Sequence, residues 1–436
     1  MYRKSIFIVL LVSCAIVLAY VVHTDIRLQR HYTYDLRNRV VGARLIKDGY
    51  SPYFYKWKKK DGIRYYDAQN IDGATVSVMT GSPFFHHLLY PIAEWPQSKI
   101  SQWWLVIEYL FFSATVVLAW LLAGNDRQRY LVLLAAMLFL LTKAWIFHVL
   151  RGQYYIGIPF GAMVFYYLLQ KSRNIPGSAA AGLTAIILVL IKPPVILFLL
   201  PFIWLVRSYS RGQLIAFFIP VVLLTGWTLA DRQELFLWQD YLKSIPEQIK
   251  MHQVGNPVIQ PHDPDPGYKE WEGIGDWRRV EDEDPLVPSN ESGNFYLLVL
   301  RFFDRNVPLP VQKAVCFFLI LGLAGSFYFA HRRGNTPDPE KIAILGFCLY
   351  MVSDLFSPIT RFQYNTVQWL FPLLVAATIY EPRYKGIFGV LGAGLALNII
   401  DLPKGPGHTL GEYLMLGALI SLSFSRKPAK NAPFYP

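Results

Sequence analysis

Apolar positions in this chain gather into long runs separated by polar loops that carry Pro and Gly. The runs cover 5–23, 100–123, 129–149, 154–170, 211–230, 309–330, 340–356, 363–380, 384–400 and 408–424. A bilayer core of about 30 Å needs roughly 17 to 25 helical residues at about 1.5 Å each, so each run predicts a membrane span. A further stretch, 178–207, is interrupted by Lys192-Pro193-Pro194 and predicts two spans meeting at a tight turn. The expected fold is an all-α polytopic membrane protein of about twelve transmembrane helices. The organisation predicted is an N-terminal transmembrane module over 1–230, with a first outer loop at 24–99. A long loop at 231–308 and a C-terminal transmembrane module over 309–436 follow. The first run also fits a signal peptide, with Leu11-Val12-Ser13-Cys14 loosely like a lipoprotein cleavage site. The apolar run continues through Val22, so an uncleaved anchor is the expectation.

Composition supports this reading, with 53% hydrophobic, 16% aromatic and only 17% charged residues. The formal net charge of +12 would suggest nucleic acid in a soluble protein. Here much of it lies in loops beside the spans, where membrane topology explains it and no nucleic-acid partner is implied. With the N-terminus inside, the short loops carrying Arg127 and Arg129, Lys171 and Arg173, Arg207 and Arg211, Arg332, Arg333 and Lys341, and Arg383 and Lys385 are cytoplasmic. So is the tail with Arg426, Lys427 and Lys430. Every inside loop is then basic, which predicts an integral protein of the plasma or inner membrane with both termini cytoplasmic and the long loops outside. Cys14, Cys316 and Cys348 lie inside expected spans without paired or metal-ligand spacing and read as small core residues.

Charges within spans cost about 2.5 to 3.5 kcal/mol at the bilayer centre and so tend to be functional. Glu108, Lys143, Lys192, Lys313, Asp354 and Glu412 all fall in the outer halves of their spans in this topology. Snorkelling accounts for Lys192 and Lys313, whereas the depth of Glu108 and Lys143 points to a polar cavity opening outward.

The first outer loop reads Asp35-Leu-Arg-Asn-Arg-Val-Val-Gly-Ala-Arg-Leu-Ile-Lys-Asp-Gly49. Its apolar side and its arginines predict an amphipathic interfacial helix stopped by Gly49, with Asp35 at the N-terminus, where a capping role is the simple reading. The segment Tyr55 to Tyr66 sets aromatic and basic arms around Asp61-Gly62 and predicts a β-hairpin. Ser82-Pro83 opens a second short interfacial helix carrying His86 and His87.

An Asp soon after the first span, then an amphipathic helix, Gly49-Tyr-Ser-Pro52-Tyr53 and a Ser-Pro helix before the second span, resembles the GT-C membrane glycosyltransferases. Within them the likeness is to glycosyltransferase family 87, the polyprenyl-phosphate-mannose-dependent mannosyltransferase-like group. Arg151-Gly152-Gln153 is similar to the family's Gly-Gln turn, and Lys192-Pro193-Pro194 to its Lys-Pro turn. Ser357-Pro358 followed by Tyr364 is similar to its Ser-Pro and Tyr segment. The likeness runs over most of 5–380, and it rests on the order of the motifs. Gln363 stands where the family often has His, which sets aside a His-dependent step there and leaves the sugar open.

The resemblance implies a sugar on polyprenyl phosphate as donor, a glycan or glycolipid acceptor, no cofactor, and Asp35 as the base that takes the acceptor proton. It also implies cations for the leaving phosphate, with Arg151, Gln153, Lys192, Arg361 and Tyr364 as donor-phosphate candidates. Arg151 and Arg361 as interfacial anchors and Lys192 as a turn cap are the structural alternatives. Asp25 is the fallback acid. Arg39, His86, His87, Glu108, His148 and Gln363 are further candidate substrate contacts, with packing as the alternative for the histidines. No metal is demanded. Asp263 and Asp265 lie among prolines, and Glu281 to Asp284 reads as a solvated acidic face. Trp238, Tyr268, Trp271 and Trp277 in the long loop could stack on sugar faces or pack on the first loop, and Asn290-Glu-Ser fits a glycosylation acceptor pattern.

Two other functions fit about twelve spans with internal charges: a secondary transporter and a non-catalytic lipid-glycan assembly protein. Transporters carry internal repeats and midplane charges. The very unequal outer loops and one-sided charges here favour an enzyme at the membrane surface.

Overall fold

The structure is a computed structural model, and it describes residues 2–29, 33–66, 79–252, 294–331, 338–359, 361–400 and 407–425. Among these residues the fold is helical throughout, with no β-strand. Eighteen α-helices follow in order: α1 Tyr2–Gln29, α2 Tyr34–Lys47, α3 Pro83–Leu88, α4 Gln97–Leu122, α5 Asp126–Leu140, α6 Lys143–Arg151, α7 Gly157–Lys171, α8 Ile175–Ile191, α9 Ile196–Leu199, α10 Ile203–Val206, α11 Arg211–Ala230, α12 Arg232–His252, α13 Phe295–Phe303, α14 Leu309–His331, α15 Pro339–Leu355, α16 Leu370–Thr378, α17 Lys385–Ile399 and α18 Gly407–Phe424.

Four described helices are long and apolar enough to cross a bilayer by themselves: Phe7–Leu28 within α1, α4, α11, and Leu309–Ala330 within α14. The pair α5 and α6, bent by 58° at Leu141-Thr142, makes a fifth if taken as one span. The other apolar runs fold into shorter or broken helices. Proline is one cause: beyond Lys192 the segment Pro193–Val206 is a series of short 3-10 and α pieces, because Pro193, Pro194 and Pro201 each remove a backbone donor. Elsewhere, α16 is prefaced by the 3-10 turn Gln363–Trp369.

The main apolar core lies where α15 and α16 pass through the bundle, with Trp145, Phe165, Phe198, Phe347, Phe371 and Leu419 among its buried members. By contrast α11 and α14 are little buried and present Phe218, Val222, Phe317 and Phe318 outward, as lipid-facing helices do. The helices α17 and α18 touch backbone to backbone at Gly394 and Gly411, where a Cβ on either would come within 2.6 Å of the other's carbonyl.

The first loop departs from expectation in two ways. Residues 36–46 of α2 are buried on all sides, so this is no interfacial helix with a wet polar face. Its arginines are taken up by carbonyls of the surrounding chain: Arg37 Nε donates to Tyr66 O at 2.9 Å, Arg44 Nε to Ala93 O at 2.7 Å and Arg44 Nη1 to Arg64 O at 3.0 Å. The Tyr55 to Tyr66 segment makes two 3-10 turns, Lys59–Asp61 and Ile63–Tyr65, in place of a hairpin. Asp61 closes the first turn onto itself, accepting from Tyr55 OH at 2.8 Å and from Lys58 N at 2.9 Å. The Ser-Pro helix forms as expected: Ser82 caps α3 by accepting from Phe85 N at 3.2 Å, with Pro83 opening it. Tyr268, Trp271, Trp277, Asp263, Asp265, Glu281 to Asp284 and Asn290 lie outside the described residues.

Candidate functional site

The end of α6 and the start of α2 are built as one unit. Gly152 closes α6 in the left-handed conformation (φ 62°), its N–H reaching Val149 O at 3.0 Å while Gln153 N–H reaches His148 O at 3.1 Å. Thr33 N–H then donates to Leu150 O at 2.9 Å, which pins the first turn of α2 against the last turn of α6. Only glycine fits between them, since a Cβ on Gly152 would stand 2.8 Å from Leu36 Cβ and 3.0 Å from Thr33 Cβ.

This junction brings three expected residues together. Gln153 Nε2 donates to Asp35 Oδ2 in a short contact, and Gln153 Oε1 accepts from Arg39 Nη2 at 2.8 Å. Arg39 Nη1 also donates to the Asp35 carbonyl at 2.6 Å. Asp35 is therefore not the helix cap: Thr33 takes that position, without a side-chain cap bond, and the Asp35 carboxylate points to the Gln153 amide. Its place in the first turn of α2 still puts its charge at the favourable end of the helix dipole. Arg151 sits at the opposite, negative end of α6, its guanidinium 4.9 Å from the Phe147 ring centre.

A run of aromatic rings connects this junction to a second group of charges. Tyr364 stacks on Phe147 (5.8 Å, 14°), on Tyr155 (5.8 Å, 16°) and on Phe362 (5.4 Å, 18°). Tyr154 stacks on Tyr155 at 4.6 Å, and Arg39 lies 5.2 Å from the Tyr154 ring centre. Lys192 Nζ lies 4.5 Å from the Tyr155 ring centre and 5.3 Å from that of Tyr350. Asp35, Arg39 and Arg151 all lie within electrostatic reach of Tyr364.

Beyond Lys192 comes a ladder of alternating charge. Lys192 Nζ is 3.5 Å from Asp354 Oδ1, Arg361 Nε donates to Asp354 Oδ2 at 2.7 Å, and Arg361 Nη1 donates to Glu412 at 2.6 and 2.5 Å. Trp369 Nε1 adds a bond to Glu412 at 2.8 Å. So the candidates Asp35, Arg151, Lys192 and Arg361 are linked through neighbouring side chains along one seam floored by Tyr155 and Tyr364. Along it Asp35, Tyr155, Lys192, Asp354 and Tyr364 each stay partly exposed. Two cavities, of about 170 and 350 Å³, lie away from it, one around Asp338 and Glu381 and the other along α17 and α18.

The remaining candidates sit deeper. Asp25 is fully buried and accepts from Tyr109 OH at 2.5 Å and Trp145 Nε1 at 2.9 Å, which fastens α1 to α4 and α6. Glu108 and His148 pair at 3.3 Å with both side chains enclosed. Gln363 is buried at the start of its 3-10 turn. His86 packs against Gly42, where a Cβ would come within 2.4 Å of its ring, and its Nδ1 donates to Arg39 O at 2.9 Å. Burial lowers its pKa to about 4, so the ring is neutral and serves to seat α2 on α3. His87 pairs with Glu234 at 2.5 Å, docking α12 onto the first loop, and Tyr53 packs on Tyr241 at 5.4 Å beside it. Trp238, the one described member of the expected aromatic platform, rests against Tyr241 at 5.6 Å. Lys313 is exposed near the start of α14.

Tyr154 and Tyr155, which follow the Arg-Gly-Gln turn directly, were not singled out in the sequence, although two aromatics beside such a turn are a readable signal. The pairing of Asp354 and Glu412 with Arg361 joins residues far apart in the chain, and no local spacing announces it.

The sequence profile of glycosyltransferase family 87 matches residues 80–261, which include the Arg-Gly-Gln turn, Tyr154, Tyr155 and Lys192. No curated protein matches the chain. Among solved structures, the oligosaccharyltransferase of Archaeoglobus fulgidus in the apo form aligns with a TM-score of 0.41 at 12% identity, over 96% of this chain and 57% of that one. The archaeal oligosaccharyltransferase AglB from the same organism, in complex with an inhibitory peptide and a dolichol-phosphate, aligns with a TM-score of 0.41 at 14% identity, over 96% and 56%. The chain thus spans little more than half the length of those proteins. It carries helices apolar enough to cross a membrane and, over residues 80–261, a segment similar to glycosyltransferase family 87.

Proposed function

We propose that the enzyme moves a hexose or pentose, mannose foremost, from a polyprenyl-phosphate donor to an extracytoplasmic glycan or glycolipid acceptor by a single inverting displacement. The observation that carries this reading is the linkage of a held carboxylate, Asp35, with Arg151, Lys192 and Arg361 along one aromatic-floored seam. In the displacement the acceptor hydroxyl oxygen attacks the anomeric carbon and the bond from that carbon to the phosphate oxygen breaks. The bonding pair leaves with the phosphate, and the hydroxyl proton passes to the Asp35 carboxylate. Gln153 aims Asp35, and the cations meet the charge that develops on the phosphate. The lipid tail lies against the bundle's apolar faces. About twelve passages of the bilayer, counting the shorter helices, with both termini cytoplasmic, bring this seam to the extracytoplasmic side.

Asp35→Asn tests the reading, because the amide keeps the shape and loses the basicity. Turnover with a purified polyprenyl-phospho-sugar is expected to fall by about 10² to 10⁴-fold while donor binding persists. An Asp35→Asn enzyme with wild-type turnover would sink the mechanism.

A further inference from the structure

The charge ladder is balanced, and that balance bears on how a phosphate could use it. Lys192 and Arg361 face Asp354 and Glu412, two cations against two anions. The inner rungs are sealed, with the Arg361 and Glu412 side chains 1% and 0% exposed, whereas Lys192 and Asp354 keep 14% and 17%. Glu412 is fixed by two bonds from Arg361 and one from Trp369. Asp354 is held only by contacts to the two cations among its hydrogen bonds in the described residues. Arg361 Nη2 is buried with no hydrogen-bond partner among the described residues.

We propose that Asp354 occupies the seat of the donor phosphate. Its carboxylate spans Lys192 and Arg361 as a pair of phosphoryl oxygens would, and it gives way when a lipid phosphate binds. This rests on the reading of Lys192 and Arg361 as the phosphate rim. Carboxylate and phosphate present similar oxygen pairs to a guanidinium, so the two compete for the same donors. An anion entering beside an undisplaced Asp354 would meet a neutral ladder and a like charge a few ångströms away, in surroundings of low dielectric. Glu412 remains in place during the exchange and keeps Arg361 paired, while the spare Nη2 offers the phosphate a further donor. When the sugar has left, the returning carboxylate drives off the polyprenyl phosphate product. Asp354 is thus a positioning residue that acts on substrate through Lys192 and Arg361, setting affinity against release.

The test is equilibrium binding of farnesyl phosphate to the purified full-length chain in detergent micelles, with farnesol as the uncharged control, for wild type, Asp354→Asn and Lys192→Ala. Asp354→Asn is expected to bind farnesyl phosphate at least about tenfold more tightly, and to release it more slowly, with farnesol binding unchanged. Lys192→Ala is expected to weaken binding of the phosphate alone. The thermal midpoint of each variant is recorded, and Asp354→Ser is expected to shift affinity in the same direction as Asp354→Asn. If both Asp354 variants bind farnesyl phosphate no more tightly than wild type while Lys192→Ala weakens it, Asp354 is scaffolding and the phosphate rim stands without it. If Lys192→Ala also leaves phosphate affinity unchanged, the rim reading falls as well.

Discussion

The two charged regions of the seam use opposite designs. At the α2–α6 junction a neutral amide, Gln153, mediates between Asp35 and Arg39, and Asp35 stays partly exposed at a helix N-terminus. In the ladder, charges meet directly: Arg361 is enclosed between Asp354 and Glu412, and Lys192 closes the row. On the proposed reading Asp35 is the base and must keep its charge available to a proton, so an amide is a fitting holder. A cation enclosed as fully as Arg361 must be compensated, so carboxylates are its fitting neighbours. The contrast teaches that the same residue types serve a reactive role or a holding role according to what meets them.

Removing the centre of the ladder should have the largest effect on stability. Arg361→Met leaves Asp354 and Glu412 facing each other without their shared cation, and loss of one partner from a buried pair costs about 3 to 5 kcal/mol. Thermal unfolding in detergent is expected to show that loss, whereas removal of the Gln153 side chain at the other region, which leaves Arg39 without one acceptor, should cost less, about 1 to 3 kcal/mol, and lower turnover. Equal destabilisation by the two variants would erase the distinction between a holding and an aiming region.

The junction can be broken through its backbone. Gly152→Ala places a side chain at φ 62° and drives its Cβ into Leu36 and Thr33. The strain costs about 1 to 3 kcal/mol. Because the clash falls on the turn that carries Asp35, turnover is expected to drop by about tenfold or more, since small misplacements of reacting groups are costly. Farnesyl phosphate affinity, which the ladder governs on our proposal, should change little. A variant losing affinity and turnover in equal measure would show that the two regions act as one.

Much of the seam was legible in the chain because its pieces are local. The Arg151-Gly152-Gln153 turn, the Lys192-Pro193 break and the Ser82-Pro83 cap each announce a backbone event through Gly, Pro or Ser, and each forms where expected. What could not be read was tertiary compensation. The arginines of α2 look like a wet helical face, yet Tyr66, Ala93 and Arg64 carbonyls enclose them, an outcome no periodicity encodes. Asp61-Gly62 has hairpin chemistry, but the bonds from Tyr55 OH and Lys58 N to Asp61 favour a tight 3-10 turn. Charged or polar side chains that a single span shows alone likewise stand beside long-range neighbours, Glu108 by His148 and Asp354 by Arg361.

The smallest expected effect comes from the exposed ion pairs that fasten the first loop, which set the scale for the buried ladder. Arg64 binds Asp48 at 2.8 Å and Glu94 at 2.6 Å, and Lys47 lies 3.2 Å from Glu94, all at the surface. Hydrogen bonds from Arg64 lower the Glu94 carboxyl to about 2 and hold Asp48 below its usual range. Both carboxyls are depressed in the folded loop, so the stability they add is present above their ordinary pKa near 4 and is lost as pH falls toward 2. Being solvent-screened, the cluster contributes only about 1 kcal/mol or less. Arg64→Ala is therefore expected to lower the thermal midpoint slightly at pH 7 in low salt. The difference from wild type should shrink in high salt and as pH is taken down from about 4 toward 2. An Arg64→Ala deficit that matched Arg361→Met, or that ignored salt, would mean that this loop clamp is coupled to the site far more tightly than its exposure implies.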